Sequence, residues 1–258
     1  MEKLNLRIRK SYEPVNSDTT ERQKCFYLIT EGPTEESYFY GVRNNRVDLG
    51  IHNDIKIEVV PKAEGDESLS HPYQLVEAAL RYLGRLDSEG NVLPEKEWEA
   101  NCQWKDYEDG LDRVCIIFDR DYRDLEKWLD KIYELCKKHN LYIGISNPNF
   151  ELWLLMHFPN ISQYDRALLL KNPKNLRQEV VPGASKDKKY LEILVAKAAG
   201  GYTKGRRLKF ERFQDGVPLA IEQEHLFEEN DEGIRTKLGS NIGVLLEIMK
   251  NKVGKVGT

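Results

Sequence analysis

Four short apolar, β-prone runs, each followed by a stretch of helical period, constrain this chain more than anything else in it. Cys25–Thr30 reads as a buried strand, Ile55–Val60 as an alternating strand ended by Pro61, Val114–Phe118 as the most deeply buried strand, and Tyr142–Ile145 as a further one. Between them, Glu35–Arg43 places Tyr38 and Val42 on one helical face, with Thr34 as its N-cap. Gln74–Leu86 repeats Leu75, Ala78, Ala79 and Leu83 at helical spacing. Leu125–His139 does so with Leu125, Leu129, Ile132 and Leu135 behind a cap at Asp124, and Ser146–Asn149 turns into a helix over Phe150–His157. A β-α-β-α-β-α-β-α order predicts an α/β fold, with a parallel four-stranded sheet flanked by helices.

Three regions fall outside that alternation. Residues 1–24 are polar and charged and read as a flexible or loosely docked N-terminal arm, so the α/β core spans 25–158. Within the core, 87–112 is rich in Asp and Glu and reads as a surface insertion. Residues 159–258 carry no β-α alternation and read as a mostly helical C-terminal region.

Composition narrows the class of protein. The longest apolar runs, Val114–Phe118 and Leu152–Met156, fall far short of the roughly 20 residues a membrane span needs. No apolar leader follows the first residues, and the four cysteines show neither CxxC nor zinc-ligand spacing. These features predict a soluble, reduced, cytoplasmic chain without a membrane partner. Charge is uneven: residues 171–212 hold 12 Lys+Arg against 4 Asp+Glu, whereas the whole chain nets -4. A basic stretch on an acidic body suits a polyanion.

In an open parallel sheet, functional groups collect at the carboxyl ends of strands, where strand order reverses. Glu31 follows the first strand, and Glu35 lies one helical turn on. Asp119 and Asp121 follow the third strand, and Glu151 opens the helix after the fourth. Two carboxylates about 5 Å apart repel by roughly 3 kcal/mol at an effective dielectric of 20, so a gathering of them calls for a cation. A hard divalent ion, Mg2+ or Mn2+, suits all-oxygen donors. The bland alternative makes Glu35 and Glu36 helix-dipole partners and the Asp pair ordinary turn residues. In the basic stretch, Arg206, Arg207, Lys209 and Arg212 interleave with Tyr202, Phe210 and Phe213, a pattern for phosphate contact with base stacking. The other option is a solvated loop whose aromatics dock in the core. Lys186, Lys188 and Lys189 add charge without individual meaning.

The segments LITEGPTE (Leu28–Glu35) and IIFDRD (Ile116–Asp121) resemble the Glu-Gly and Asp-x-Asp strand ends of Toprim domains. More narrowly, EGPTEESYF (Glu31–Phe39) and SNPNFELWLLMHF (Ser146–Phe158) resemble the RloB-like family, as do GYTK (Gly201–Lys204) and GSNIGVLLE (Gly239–Glu247). That resemblance implies a Toprim-like sheet and a metal-dependent nuclease or phosphoryl-transfer module. It further implies a role in bacterial anti-phage defence by abortive infection, beside an ABC/AAA-type ATPase. Carried over by position, Glu31 is a metal ligand or general base, Asp119 and Asp121 are metal ligands, Glu35 and Glu151 serve a second metal position, and Lys204 faces the scissile phosphate.

The expected function is therefore hydrolysis of DNA or RNA phosphodiesters, tRNA included, with one or two Mg2+ or Mn2+ ions. The alternative is a Toprim-like module that binds nucleic acid or docks on the ATPase without cutting. A nucleotide-binding Rossmann enzyme is disfavoured, because no GxGxxG or GxxxxGK[ST] follows the first strand.

Overall fold

β1 (Lys24–Thr30) is apolar on both faces, and from Cys25 onwards every residue is buried, as a central parallel strand requires. The chain continues through α1 (Pro33–Asn44), β2 (Ile55–Val59), α2 (Pro72–Tyr82), α3 (Trp98–Asn101), β3 (Arg113–Asp119), α4 (Leu129–Lys138), β4 (Tyr142–Asn147) and α5 (Phe150–Met156). Then follow α6 (Arg166–Lys171), α7 (Tyr190–Ala198), α8 (Val217–Glu224), α9 (Asp231–Ile234), β5 (Gly239–Ser240) and α10 (Ile242–Lys250). The computed structural model describes residues 2–7, 24–66, 68–122, 124–174, 188–205 and 207–251. Most of the N-terminal arm, residues 175–187 of the basic stretch, and Arg206 lie outside that set.

The strands form one sheet in the order β2-β1-β3-β4-β5. β1 pairs in parallel with β2 and with β3, in a register that sets Thr30 opposite Ile117. Strand order reverses between β1 and β3, the place where an α/β sheet binds its ligands. The sheet has five strands rather than the expected four. Its added edge, β5, runs antiparallel to β4, with Ser146 opposite Ser240.

Several element ends differ from the sequence expectation for local reasons. α1 begins at Pro33 behind an N-cap at Gly32, not behind Thr34. Proline at the first helical position lacks only an N–H that would have been unsatisfied, and its φ is already helical. Asp124 makes no capping hydrogen bond; its carboxylate pairs with Lys127 at 2.9 Å, and a 3-10 turn precedes α4. α2 starts two residues early, at Pro72, with the His71 imidazole accepting from the Tyr73 N–H at 3.1 Å. All four cysteines are free thiols. Among the described residues no helix is long and apolar enough to cross a membrane.

By contacts the chain divides into two compact units, each built from separated segments. The first takes Met1–Glu31, Asn53–Ile117 and Asp124–Ile143. Here the start of the arm is firmly docked. Leu4 and Leu6 are buried, Leu6 bridges to Lys62, and the Tyr82 hydroxyl donates to the Leu6 carbonyl at 2.6 Å. The 87–112 stretch is largely exposed, as a surface insertion should be, and is pinned at a few residues. Trp104 stacks on Tyr27 with centroids 4.8 Å apart, the Arg85 guanidinium lies 3.9 Å over Trp98, and Asp112 accepts from the Cys25 N–H at 2.8 Å.

The second unit takes Gly32–His52, Phe118–Arg123 and Gly144–Thr258. Its centre is an aromatic cluster around Tyr38, whose ring lies 5.4 Å from Phe150, 5.6 Å from His157 and 5.3 Å from Phe210. Gly41 permits the last contact, since a Cβ there would meet Phe210 Cγ at 2.1 Å. Phe210 and Phe213 are thus core residues, which decides for the bland reading of these two aromatics in the basic stretch.

Candidate active site

Asp119 is the last residue of β3, and its Oδ1 accepts the Phe150 N–H at 2.8 Å. One carboxylate oxygen thereby satisfies an orphan donor at the start of α5. The next two residues are tied to the β4 end, with Arg120 N–H donating to Ser146 O and Asp121 N–H to Pro148 O, both at 2.9 Å. These ties present Asp121 at the surface, where its Oδ2 receives the Lys189 ammonium.

Glu151 lies in the first turn of α5 and is only 1% exposed. Its Oε1 accepts from the Tyr202 hydroxyl and from Lys204 Nζ, both at 3.0 Å, while its Oε2 is buried with no hydrogen-bond partner among the described residues. A buried carboxylate oxygen left in that condition is costly unless something else meets it. Burial, and then the Glu151 charge, pushes the Tyr202 phenol above its ordinary pKa, so it remains a donor. Burial alone would lower the Lys204 ammonium, but Glu151, Asp119 and Glu192 together outweigh it and raise its pKa. Lys204 therefore keeps its proton. It also reaches Glu192 of α7 at 3.7 Å.

The loop carrying Lys204 is held at both ends. Gly205 N–H donates to the Thr34 hydroxyl at 2.7 Å, which is the job Thr34 does in place of capping. The Arg212 guanidinium donates to the carbonyls of Ala199, Gly200 and Gly201, closing the C-terminus of α7. Arg212 is thus a structural cap as well as a candidate phosphate contact. Arg207 and Lys209 are exposed, and Arg206 lies outside the described residues.

Glu35 sits in the first turn of α1 and is buried. Its Oε2 lies 2.8 Å from where a Cβ on Gly32 would stand, so the Glu-Gly pair makes room for this carboxylate. Glu31 belongs to the other unit. Its N–H continues the β1–β3 ladder to Ile117 O at 2.8 Å, and its carbonyl accepts from Lys62 Nζ at 2.6 Å. Lys62, just past β2, carried no signal of its own in sequence, being one lysine among many.

The charges acting on Lys204 come from Glu151, Asp119 and Glu192, which places these groups in one neighbourhood, while Asp121, two residues on from Asp119, carries Lys189. Among the described residues no three His, Cys, Asp or Glu side chains stand together so as to enclose an ion. The donors nevertheless fit a hard divalent ion of the Mg2+ kind. They are all oxygen, one of them buried without a partner, and Mg2+ takes one or two carboxylates, several waters and substrate phosphate rather than a protein cage.

Comparison with known families matches residues 26–249 to the RloB-like protein family. The chain belongs to the RloB-like family. The match spans every candidate site residue placed above, from Glu31 to Arg212, so the candidate site of this RloB-like protein lies wholly within the matched region. No curated protein and no solved structure matches it.

Proposed function

We propose that this RloB-like protein is a Mg2+- or Mn2+-dependent nuclease of Toprim type that hydrolyses DNA or RNA phosphodiesters. Its place would be as the effector of an anti-phage system beside an ABC/AAA-type ATPase. The observation that carries this reading is Glu151, a buried carboxylate with one oxygen bound to a protonated lysine and the other without a partner among the described residues, at the carboxyl end of β4. Asp119 and Asp121 would hold one divalent ion and Glu35 and Glu151 a second, with waters and substrate phosphate completing each shell, and Glu31, following β1, keeps the ligand or general-base role that the family resemblance implies. A bound divalent ion would supply charge neutralisation at the phosphate and an acidified water.

The chain's own groups supply the rest. Lys204, held protonated by its carboxylates, offers a positive charge to a phosphate oxygen, the kind of contact that lowers a phosphoryl-transfer barrier. Tyr202 holds Glu151 in one orientation. Thr34 and Arg212 fix the backbone of the loop from which the Lys204 side chain reaches out.

One observation favours the second reading, a non-catalytic nucleic-acid-binding or ATPase-docking module. Asp119 already caps α5, and Asp121 and Glu151 already carry lysines, so these acids have structural work. The discriminating assay gives the protein with its ATPase partner single- and double-stranded DNA, mRNA and tRNA in Mg2+ or Mn2+. Asp119→Asn is the variant, because the amide oxygen can still accept the Phe150 N–H. Metal-dependent cleavage lost in Asp119→Asn is the expected result. Binding without cleavage in either metal would establish the second reading instead.

A further inference from the structure

Two of the carboxylates proposed to hold a divalent ion each carry a lysine ammonium supplied from far along the chain. Lys189 pairs with Asp121 across 68 residues, and Lys204 reaches Glu151 from the loop after α7. The Lys189 backbone is anchored on both sides. Tyr190 N–H donates to Pro173 O at 3.1 Å, Leu191 N–H to Asn172 Oδ1 at 2.9 Å, and Lys189 itself bridges to Lys174. Its four-carbon stem is a different matter: a lysine ammonium can swing through several ångströms from a fixed Cα. Lys204 is 48% exposed over a carboxylate that is 1% exposed, so the ammonium stands on the solvent side of Glu151. The Asp121–Lys189 pair is also open to water, at 30% and 28%. A cation arriving from solvent meets these carboxylates in competition with an amine.

We infer that Lys189 and Lys204 are the site's resident counterions. They neutralise Asp121 and Glu151 before a divalent ion binds, and give way when it does. They then turn to the phosphates of the nucleic-acid substrate. Binding is thereby ordered, metal first and polyanion second, because the lysines become available only after exchange. This inference rests on the metal reading of the site proposed above. It is physically distinct from a helper role, in which the lysines would orient the carboxylates and strengthen metal binding. An ammonium and a metal ion drawn to the same carboxylate repel one another, so exchange predicts tighter metal binding when the lysine is removed and a helper role predicts weaker binding.

The test is calorimetric titration of Mn2+ into the full chain at about 0.1 M salt, comparing wild type with Lys189→Met and Lys188→Met. Lys188 is the control: it removes the same charge from the same stretch. Circular dichroism checks folding, and Lys189→Gln substitutes if Lys189→Met does not fold. Losing a partly exposed ion pair that competes with the metal should tighten Mn2+ binding about three- to tenfold in Lys189→Met, and change it less than twofold in Lys188→Met. The Mn2+-induced rise in Tm should also be larger in Lys189→Met than in wild type. Unchanged or weaker Mn2+ binding in Lys189→Met, beside a wild type that does bind, overturns the exchange and leaves the metal reading standing. Equal tightening in Lys188→Met overturns it too, because the effect would be one of net charge. If neither wild type nor Lys189→Met binds Mn2+, the metal reading fails and the exchange with it.

Discussion

Two buried ionisable groups in the second unit oppose one another across the same pH range, and removing either should expose the other. His157 is buried, with Nδ1 3.0 Å from the Trp153 carbonyl and Nε2 3.0 Å from the Tyr38 hydroxyl. Those partners fit a neutral imidazole that donates from Nδ1 and accepts at Nε2. Burial brings its pKa down from 6.5 to about 4. Glu224, at the end of α8, is also buried, and accepts the Gly243 and Val244 N–H groups at 3.0 and 2.9 Å. Burial dominates there as well, raising its pKa from 4.5 to about 7.

Each shift is about 2.5 pH units, or about 3 kcal/mol at 1.36 kcal/mol per unit. For His157 the unfolded chain takes the proton first, so its stabilisation is complete above pH 6.5 and drains away as the pH falls towards 4. For Glu224 the folded chain takes the proton first. Its ionised form weakens the fold above pH 7, and that cost fades as the pH falls towards 4.5. Between about pH 4.5 and 6.5 the two slopes cancel. In Glu224→Gln the histidine slope stands alone, and the variant should lose about 3 kcal/mol more than wild type between pH 7.5 and 4.5. In His157→Phe the glutamate slope stands alone, and the variant should gain by the same amount relative to wild type. Urea unfolding at the two pH values measures this, and taking variant minus wild type at each pH removes the other carboxylates and the constant packing cost. A Glu224→Gln difference that is the same at pH 7.5 and 4.5 would refute the reasoning.

Gly41→Ala should destabilise the fold by about 1–3 kcal/mol, because the new methyl must displace the buried Phe210 ring, and a helix-propensity gain of at most about 1 kcal/mol does not offset that; thermal unfolding checks it. In the first unit, Trp104→Ala should cost about 3–5 kcal/mol by removing the ring stacked on Tyr27, and urea denaturation would show whether the acidic insertion is structural or dispensable.

The sheet was legible where strands are buried on both faces. β1, β3 and β4 announce themselves as apolar runs, and the acidic residues at their ends follow from sheet topology alone. β5 was not legible. Gly239 and Ser240 have no hydrophobic signal, and glycine is required there because a Cβ would lie 2.0 Å from the Glu228 carbonyl oxygen. The insertion was legible as surface, and most of it is exposed; composition did not show that Trp98 and Trp104 decide where it sits. Thr34 misled through chemistry. A threonine near a helix start reads as a cap, whereas its hydroxyl serves Gly205, 171 residues away. The carboxylates of the candidate site could be named in advance because each follows a strand. Their lysine partners could not, since nothing local distinguishes Lys189 from Lys188 until the chain folds and one of them meets Asp121.

The two-residue strand β5 has a consequence for the order of synthesis. The outer edge of β4 is closed by Gly239 and Ser240, and the Ile145 N–H is satisfied by the Asn241 side chain at 2.8 Å. On the ribosome, about 90 residues must be added after Asn147 before those partners exist, roughly 5–20 s at roughly 5–20 residues per second. Throughout that interval the nascent chain carries a finished run of strands with one edge open, the arrangement that recruits foreign strands. Delay between residues 147 and 239, by rare codons or stalled translation, should therefore favour aggregation more than the same delay placed earlier in the chain.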